Sequence, residues 1–509
     1  MKKLTFKETL DLIAELENSF PIDQLIYEDF NVWPFIKTSI TNKILNSQHQ
    51  DQTASSTKNI KQRIGDVFSA FAKLKEIRQN IRKEKKIKYD EIFNSSNSQN
   101  RIIYLSNSSH RTQTLDGKHW NPFSDSFAST IEHKENIAII EFSDLKTTKE
   151  PAFEKIIHGN QLCELAKYRR QKKILLNYVK AVFDKNERIK SSTETDFLKR
   201  IKELNLDRYF DFSLFLYEIQ YVQALRIEMR IVFKKLKPEY IAYAVFYSLE
   251  SFASTLACKD LKIKSIEVQH GLYNKIFYQL PAKNYDLLPN YFFSWNKEQS
   301  MIVNNWAKNN TRHKAFPFGI SSLSFWMKNR SVFKNEHSTI IEQIIKTNQS
   351  LLFITFTFSE SIEEQLTDLI IKSKNEMFWF LRLHPRLRYH NLDEFIDTLK
   401  SNNCSNYNIE NSTKTPMYPL LECTDFHITS SSSVVMEGLM LDIPSIIIND
   451  AGKELYYNDY KENPLIYFTQ NNTEILEIIK QKGKRTKITS EQTNIIFENF
   501  IKKNDLQKS

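Results

Sequence analysis

Short apolar runs alternate with longer amphipathic segments through the second half of the chain. Residues 351–356 and 377–383 are mostly apolar, whereas residues 361–374 carry apolar side chains at a helical period. Strands buried on both faces of a parallel sheet give such runs, and helices that cover a sheet give such periods. The same alternation predicts strands at 425–429 and 445–448 and helices at 391–400, 434–441, 473–482 and 490–503.

The first half shows the same alternation, interrupted by longer helical segments. This spacing of strands and helices is typical of an α/β fold with parallel, helix-covered sheets. We predict strands at 101–105, 137–142, 240–246, 265–268, 291–293 and 314–316, a helix at 250–260, and largely helical structure over 151–235.

The chain of 509 residues is longer than one hydrophobic core usually supports, so we expect several domains. We place a helical N-terminal region at 1–95, a Rossmann-like domain with a helical insertion at 100–335, a second Rossmann-like domain at 345–487 and a C-terminal helix at 488–509. From residue 60 the N-terminal region has an apolar helical face and an opposite face rich in lysine and arginine. Such a basic amphipathic helix can lie on an anionic membrane, or it can dock on its own domain with its basic face in solvent.

Composition and charge narrow the function classes only modestly. The formal net charge of +10 favours an anionic partner such as a nucleotide or a phospholipid surface, although a lysine-rich composition gives the same excess. Charge alone, without a motif of interleaved aromatic residues, gives no support for nucleic-acid binding. Four cysteines without a CxxC pair favour a reducing compartment. The polar N-terminus and the lack of an apolar run of about 20 residues predict a cytoplasmic protein, soluble or peripheral at the inner face of the membrane.

One candidate site residue, His270, follows the predicted strand 265–268. Ligands of open α/β sheets bind outside the carboxyl ends of the strands, where this imidazole stands. Gln269 and Gly271 flank it, and a glycine there suits a tight turn with positive φ, or lets a ligand approach the backbone. His270 or Glu250 is a candidate general base, since both residue types can be tuned to a pKa near neutrality. Glu250 can equally be a plain acid in the first turn of a helix. The polar loop with His110, Arg111, Asp116 and His119 is a candidate contact for the acceptor substrate.

A second histidine, His384, follows the predicted strand 377–383. Pro385 comes directly after it, and Arg382 and Arg386 lie on either side. Histidine and arginine together can hold a phosphate through charge-assisted hydrogen bonds. The alternative is a structural turn with two solvated arginines.

A run of serines follows the predicted strand 425–429 and precedes a helix. Hydroxyls and free N–H groups at a helix N-terminus favour an anion, so Ser431, Ser432 and Ser433 are candidate phosphate ligands. One serine acting as an ordinary N-cap is the alternative. Glu437, one turn further on, could accept hydrogen bonds from ribose hydroxyls or complete the cap. The sequence has no GxGxxG, no P-loop and no Asp-x-Asp motif, and we expect neither a cofactor nor a metal.

Five segments recur in an order that carries a resemblance: Gln269-His270-Gly271, Phe292-Phe293-Ser294-Trp295-Asn296, Phe316-Pro317-Phe318-Gly319, Leu383-His384-Pro385, and Ser431-Ser432-Ser433-Val434-Val435-Met436-Glu437-Gly438. Together they resemble bacterial capsule and lipopolysaccharide glycosyltransferases of the GT-B fold. They are similar to the Kdo transferases and, more remotely, to polysialyltransferases and CDP-glycerol polymer transferases. The resemblance covers roughly residues 237–450.

This resemblance implies two Rossmann-like domains facing each other across a cleft, with the acceptor bound by the first and a nucleotide-sugar donor by the second, CMP-linked sugars being candidate donors. His384 and the three serines would hold the donor phosphate, with Glu437 near the nucleotide and His270 beside the transferred sugar. Glu250 is the nearest match to an acidic residue of the family, and Gly319 would support the site. The acceptor would be a surface polysaccharide or glycolipid. A CDP-glycerol-type polyol-phosphate transferase and a non-catalytic nucleotide-sugar-binding scaffold remain the alternatives.

Overall fold

The computed structural model describes residues 6–47, 101–111, 113–115, 117–131, 136–142, 151–153, 156–183, 192–272, 278, 286–307, 312–332, 349–356, 362, 364–384, 389 and 391–482. The predicted basic amphipathic helix and the C-terminal helix at 490–503 lie outside these residues. The described residues form two compact units, with the main boundary between Gly319 and Ile320.

The first unit is built on a seven-stranded, wholly parallel sheet in the order β11-β10-β9-β8-β3-β6-β7. Its strands are β3 (Ile102–Asn107), β6 (Ile137–Phe142), β7 (Ile156–His158), β8 (Tyr240–Tyr243), β9 (Lys264–Val268), β10 (Tyr291–Ser294) and β11 (Lys314–Pro317); shorter strands are β1 (Ile26–Tyr27), β2 (Phe30–Asn31) and β5 (Lys118–Trp120). The short strand β4 (Gln113–Leu115) is grouped with the second unit. The helices are α1 (Phe6–Ser19), α2 (Trp33–Ser47), α3 (Ser124–Thr130), α4 (Asn160–Phe183), α5 (Ser192–Glu203), α6 (Phe212–Leu236), α7 (Leu249–Leu261) and α8 (Lys297–Trp306).

The second unit is built on a six-stranded parallel sheet in the order β14-β13-β12-β15-β16-β17. Its strands are β12 (Ser350–Thr355), β13 (Met377–Arg382), β14 (Tyr407–Asn408), β15 (Phe426–Thr429), β16 (Ser445–Ile447) and β17 (Ile466–Phe468). The helices are α9 (Ser321–Lys328), α10 (Glu364–Lys372), α11 (Leu392–Ser401), α12 (Glu410–Lys414), α13 (Met417–Cys423), α14 (Val434–Met440), α15 (Asp450–Tyr460) and α16 (Asn472–Lys482).

The central strands are buried on both faces, which explains their continuous apolar sequences. Every residue of β6 and of β15 is buried, as expected where helices cover both faces of a parallel sheet. The predicted α/β class with two parallel-sheet units is therefore confirmed. The N-terminal helices belong to the first core, where the Phe35 ring of α2 contacts Phe215 of α6 and Phe252 of α7. Within the described part of the chain, no helix is both long and apolar enough to cross a membrane.

Helix α15 fixes the backbone of the serine turn, residues 430–433, which follows β15. Gly452 in its first turn lies so close to Ser430 that a Cβ atom would overlap the Ser430 carbonyl oxygen. The Tyr456 hydroxyl, one turn later, donates to the Ser432 carbonyl at 2.7 Å. A glycine is thus required at 452, because only the bare backbone can come this near.

We expect Gly452→Ala to destabilise the protein by about 1–3 kcal/mol, since its Cβ meets backbone atoms that no rotamer change can move. Urea denaturation followed by tryptophan fluorescence measures this loss. Gly271→Ala is the matched control, because a Cβ there would meet no atom within 4 Å. Equal stability of the two variants would contradict the packing of α15 on Ser430.

Candidate functional site

Gln269 joins the carboxyl ends of β9 and β10. Its side-chain oxygen accepts from the Trp295 backbone N–H at 2.8 Å, and the Trp295 indole N–H donates to the Gln269 carbonyl at 2.8 Å. Its amide nitrogen donates to the Gly271 carbonyl at 2.7 Å and also contacts the Gln299 side chain. Gln269 is buried, so its bonds hold the strand ends in place.

His270 follows β9 at the carboxyl edge of the first sheet and is half-buried. Its ring lies edge-on to Phe123, with centroids 6.1 Å apart, and to Tyr247, at 6.4 Å. Gly271 does not have the positive φ that the sequence suggested, so that reason for a glycine was wrong. A Cβ atom added at Gly271 would meet no other atom within 4 Å. Gly319, after β11, does have a positive φ of 94°.

Glu250 is half-buried in the first turn of α7. Burial raises the pKa of the Cys163 thiol to about 11, and the negative charge of Glu250 adds to that rise. Tyr221 on α6 is affected in the same direction, again with burial as the larger cause. The charge of Glu250 is therefore felt at α4 and α6, and its role as a base stays a prediction.

The loop after β3 contains a buried ion-pair network that the sequence did not reveal. Arg111 is completely buried and pairs with Asp125 at 2.6 Å and Glu141 at 2.8 Å. It also donates to the His119 carbonyl at 3.0 Å. Arg111 is thus a structural anchor, and its expected contact with an acceptor was wrong. Asp116 lies outside the described residues.

Glu267 of β9 is the residue that sequence reasoning missed. It is fully buried, and its Oε1 accepts from the Phe246 backbone N–H at 3.1 Å and from the Tyr278 hydroxyl at 2.7 Å. Burial raises the pKa of Glu267 to about 8, although both hydrogen bonds act in the opposite direction. The sequence did carry a signal for this residue: Glu267 is an acidic residue inside the predicted strand 265–268, two residues before Gln269.

At the carboxyl end of β13, Arg382 is anchored to the backbone and is not a solvated surface charge. Its Nη1 donates to the carbonyls of Ser412 at 2.7 Å and Thr415 at 2.5 Å. Burial lowers the pKa of Arg382 to about 10, and the charge of Glu437 partly offsets that effect. Among the residues the structure describes, only Nη1 is used, so the other guanidinium N–H groups keep donor capacity.

Glu437 of α14 is buried and shares one oxygen with a tyrosine. The Tyr418 hydroxyl donates to its Oε1 at 2.9 Å, and the Ser322 hydroxyl lies 2.5 Å from the same Tyr418 oxygen. Burial raises the pKa of Glu437 to about 7, while Tyr418 and Arg382 act in the opposite direction. The carboxyl group is thus poised between its neutral and charged forms near pH 7.

The serine turn is fixed at Ser432. Its hydroxyl accepts from the Val434 N–H at 3.3 Å, and its own N–H donates to the Thr429 hydroxyl at 3.2 Å. Ser433 occupies the N-cap position without a side-chain cap bond. Ordinary capping therefore accounts for Ser432 only, and Ser431, Ser432 and Ser433 are all half-buried.

His384 follows β13 and is half-buried, with its backbone N–H donating to the Tyr389 hydroxyl at 3.0 Å. Pro385 and Arg386 lie outside the described residues. Nowhere in the described part of the chain do three or more His, Cys, Asp or Glu side chains form a group that could hold a metal ion.

Comparison with known proteins gives structural likenesses only. No protein-family model matches the chain, and no curated protein matches it. A UDP-GlcNAc 2-epimerase from Neisseria meningitidis superposes with a TM-score of 0.46 at 13% identity, covering 75% of this chain and 90% of that one. The Methanocaldococcus jannaschii UDP-GlcNAc 2-epimerase gives 0.47 at 15% identity, covering 80% and 99%. The wall teichoic acid polymerase TagF gives 0.42 at 12% identity, covering 86% and 92%.

We predict that Glu437→Gln flattens part of the pH dependence of stability. The folded-state pKa of about 7 exceeds the usual 4.5, so the native state keeps a proton that the unfolded chain loses. The contribution of Glu437 to stability is thus highest below pH 4.5 and falls as the pH rises to 7, by at most about 3 kcal/mol. Melting temperatures of both forms at pH 5 and pH 7.5 test this, with Glu376→Gln on the exposed surface as control. The same decline in wild type and Glu437→Gln would contradict it.

Proposed function

We propose that this protein is a glycosyltransferase that moves a sugar from a nucleotide-activated donor, with CMP-linked sugars as candidates, to a surface polysaccharide or glycolipid. The observation that carries this proposal is the arrangement at the carboxyl edge of the second sheet. There Arg382, the last residue of β13, and the buried Glu437 influence each other's pKa, and the ends of β13 and β15 also present His384 and the serine turn.

In this proposal the second unit binds the donor. Arg382 and His384 supply charge-assisted hydrogen bonds to a phosphate, and the hydroxyls of the serine turn supply neutral ones. Glu437 has one oxygen occupied by Tyr418, which leaves the other to accept from a ribose hydroxyl. The cation and the hydroxyls suit the phosphate of a nucleotide sugar, and the carboxyl group suits its ribose.

The first unit supplies the acceptor side. His270, with Glu250 as the second candidate, takes the proton from the acceptor hydroxyl while that oxygen bonds to the anomeric carbon. The bond between the anomeric carbon and the donor phosphate breaks, and Arg382 and His384 neutralise the charge on the departing phosphate.

The first test is binding of a nucleotide panel (CMP, CDP, UDP, GDP and dTDP) measured by thermal shift. We expect one nucleotide to stabilise the wild type. His384→Ala should weaken the binding of that nucleotide by roughly 10- to 100-fold, because one charge-assisted hydrogen bond is lost. Lys374→Ala removes an exposed positive charge at the opposite end of β13 and should leave binding unchanged. A flat panel would contradict the donor site.

The second test distinguishes transfer from its alternatives. Release of CMP from a CMP-sugar with acceptor present is expected, and His270→Ala should abolish release while keeping the nucleotide shift. Release from CDP-alcohols instead would identify a polyol-phosphate transferase. Nucleotide binding without release from any donor would identify a scaffold.

A further inference from the structure

We infer that Glu267, in its neutral acid form, is a positioning residue that fixes the segment 244–248 and thereby the surroundings of His270. This inference rests on the proposed role of His270 as the acceptor-side base. Glu267 itself is fully buried, so it acts through its neighbours and not on substrate.

The contacts of Glu267 tie three parts of the first unit together. From β9 its Oε1 accepts from the backbone N–H of Phe246, which follows β8, and from the hydroxyl of Tyr278. The Tyr278 ring contacts Phe246 with centroids 5.2 Å apart and Tyr247 at 6.3 Å. Tyr247 in turn lies against the His270 ring. One carboxyl oxygen therefore organises the aromatic side of the candidate base.

The second oxygen of Glu267 shows why the neutral form is needed. Oε2 is buried and has no hydrogen-bond partner among the described residues, and the same holds for the Tyr104 hydroxyl on β3. A buried carboxylate with one oxygen unpaired is costly, because its charge has lost water and gained no donor there. A protonated Oε2 removes that charge and leaves the two bonds to Oε1 intact.

The titratable groups facing Glu267 are tyrosines from each neighbouring segment: Tyr104 on β3, Tyr243 on β8, and Tyr247 in the segment after β8, with Tyr278 bonded directly to it. Burial is the larger cause that raises the pKa of Tyr104 and of Tyr247, and the charge of Glu267 is the second cause. For Tyr243 burial is again the largest cause. Within the described residues no cation contributes to the pKa of Glu267, which burial raises to about 8. Nothing there favours its charged form except the two donors to Oε1.

A rising pH should therefore loosen this segment. In the open segment Glu267 is exposed and its pKa returns to the usual 4.5, so opening becomes roughly tenfold more favourable for each pH unit between 4.5 and 8. Above about pH 8 Glu267 is ionised in both forms and the effect levels off. Glu267→Gln keeps an accepting oxygen for both donors, stays neutral at every pH and removes this titration.

The experiment combines hydrogen exchange of peptides covering 244–250 with transfer rates, from pH 6.5 to 9.5. After correction for intrinsic exchange, wild type should lose roughly tenfold or more protection between pH 6.5 and 8 and little more up to pH 9.5, and its transfer rate should fall over the same range. Glu267→Gln should show neither change. Glu437→Gln, which removes the buried acid of the other sheet, is the matched control and should exchange at 244–250 like wild type.

Tyr278→Phe gives an independent check that keeps the acid in place. Removing the donor that lowers the pKa of Glu267 should move the pH at which the loss of protection levels off to a higher value. Identical pH dependence of exchange in wild type and Glu267→Gln would overturn the inference. Absence of any transfer would refute the proposed function alone, since the exchange data still decide the role of Glu267. Transfer with the same decline between roughly pH 6.5 and 8 in both forms would refute the positioning role alone.

Discussion

Burial of a carboxyl group beside the carboxyl edge of each sheet is the constraint on which the candidate sites depend. Glu267 in the first unit and Glu437 in the second each give one oxygen to a tyrosine hydroxyl, at 2.7 and 2.9 Å. In both cases burial raises the carboxyl pKa, to about 8 and about 7. A buried acid is tolerated only when hydrogen bonds satisfy it or a proton neutralises it. Both carboxyl groups accept a hydrogen bond and both have a raised pKa, so polar groups can lie where the apolar strands end.

The surrounding structure holds these edges through backbone groups. Gln269 ties β9 to β10 through Trp295, and Tyr456 of α15 ties down the carbonyl of Ser432. Arg382 is held by two carbonyl oxygens. Such bonds fix the direction of the remaining donors before any ligand arrives, which the proposed electrostatic stabilisation of a departing phosphate requires. Gly452 serves the same end, because it lets α15 approach Ser430.

Most central strands could be predicted because burial on both faces leaves a continuous apolar run, as at 137–142, which matches β6. The short edge strands β7, β14 and β17 were missed, since two or three residues at an edge carry no such run. The positions of His270 and His384 after strands followed from the same runs. The partners of Arg111 and Glu267 could not be predicted, because they come from segments far away in sequence and are selected only by packing. Positive φ at Gly271, one of the two reasons offered for a glycine there, is not observed.

The most direct measurement is infrared difference spectroscopy in the carbonyl-stretching region of protonated carboxyl groups, comparing wild type with Glu267→Gln and Glu437→Gln. The structure predicts that each substitution removes a neutral-carboxyl band present at pH 6, and that the Glu267 band disappears from wild type only above about pH 8. Loss of carboxylate bands instead, already at pH 6, would show that both buried groups are charged and would contradict the account.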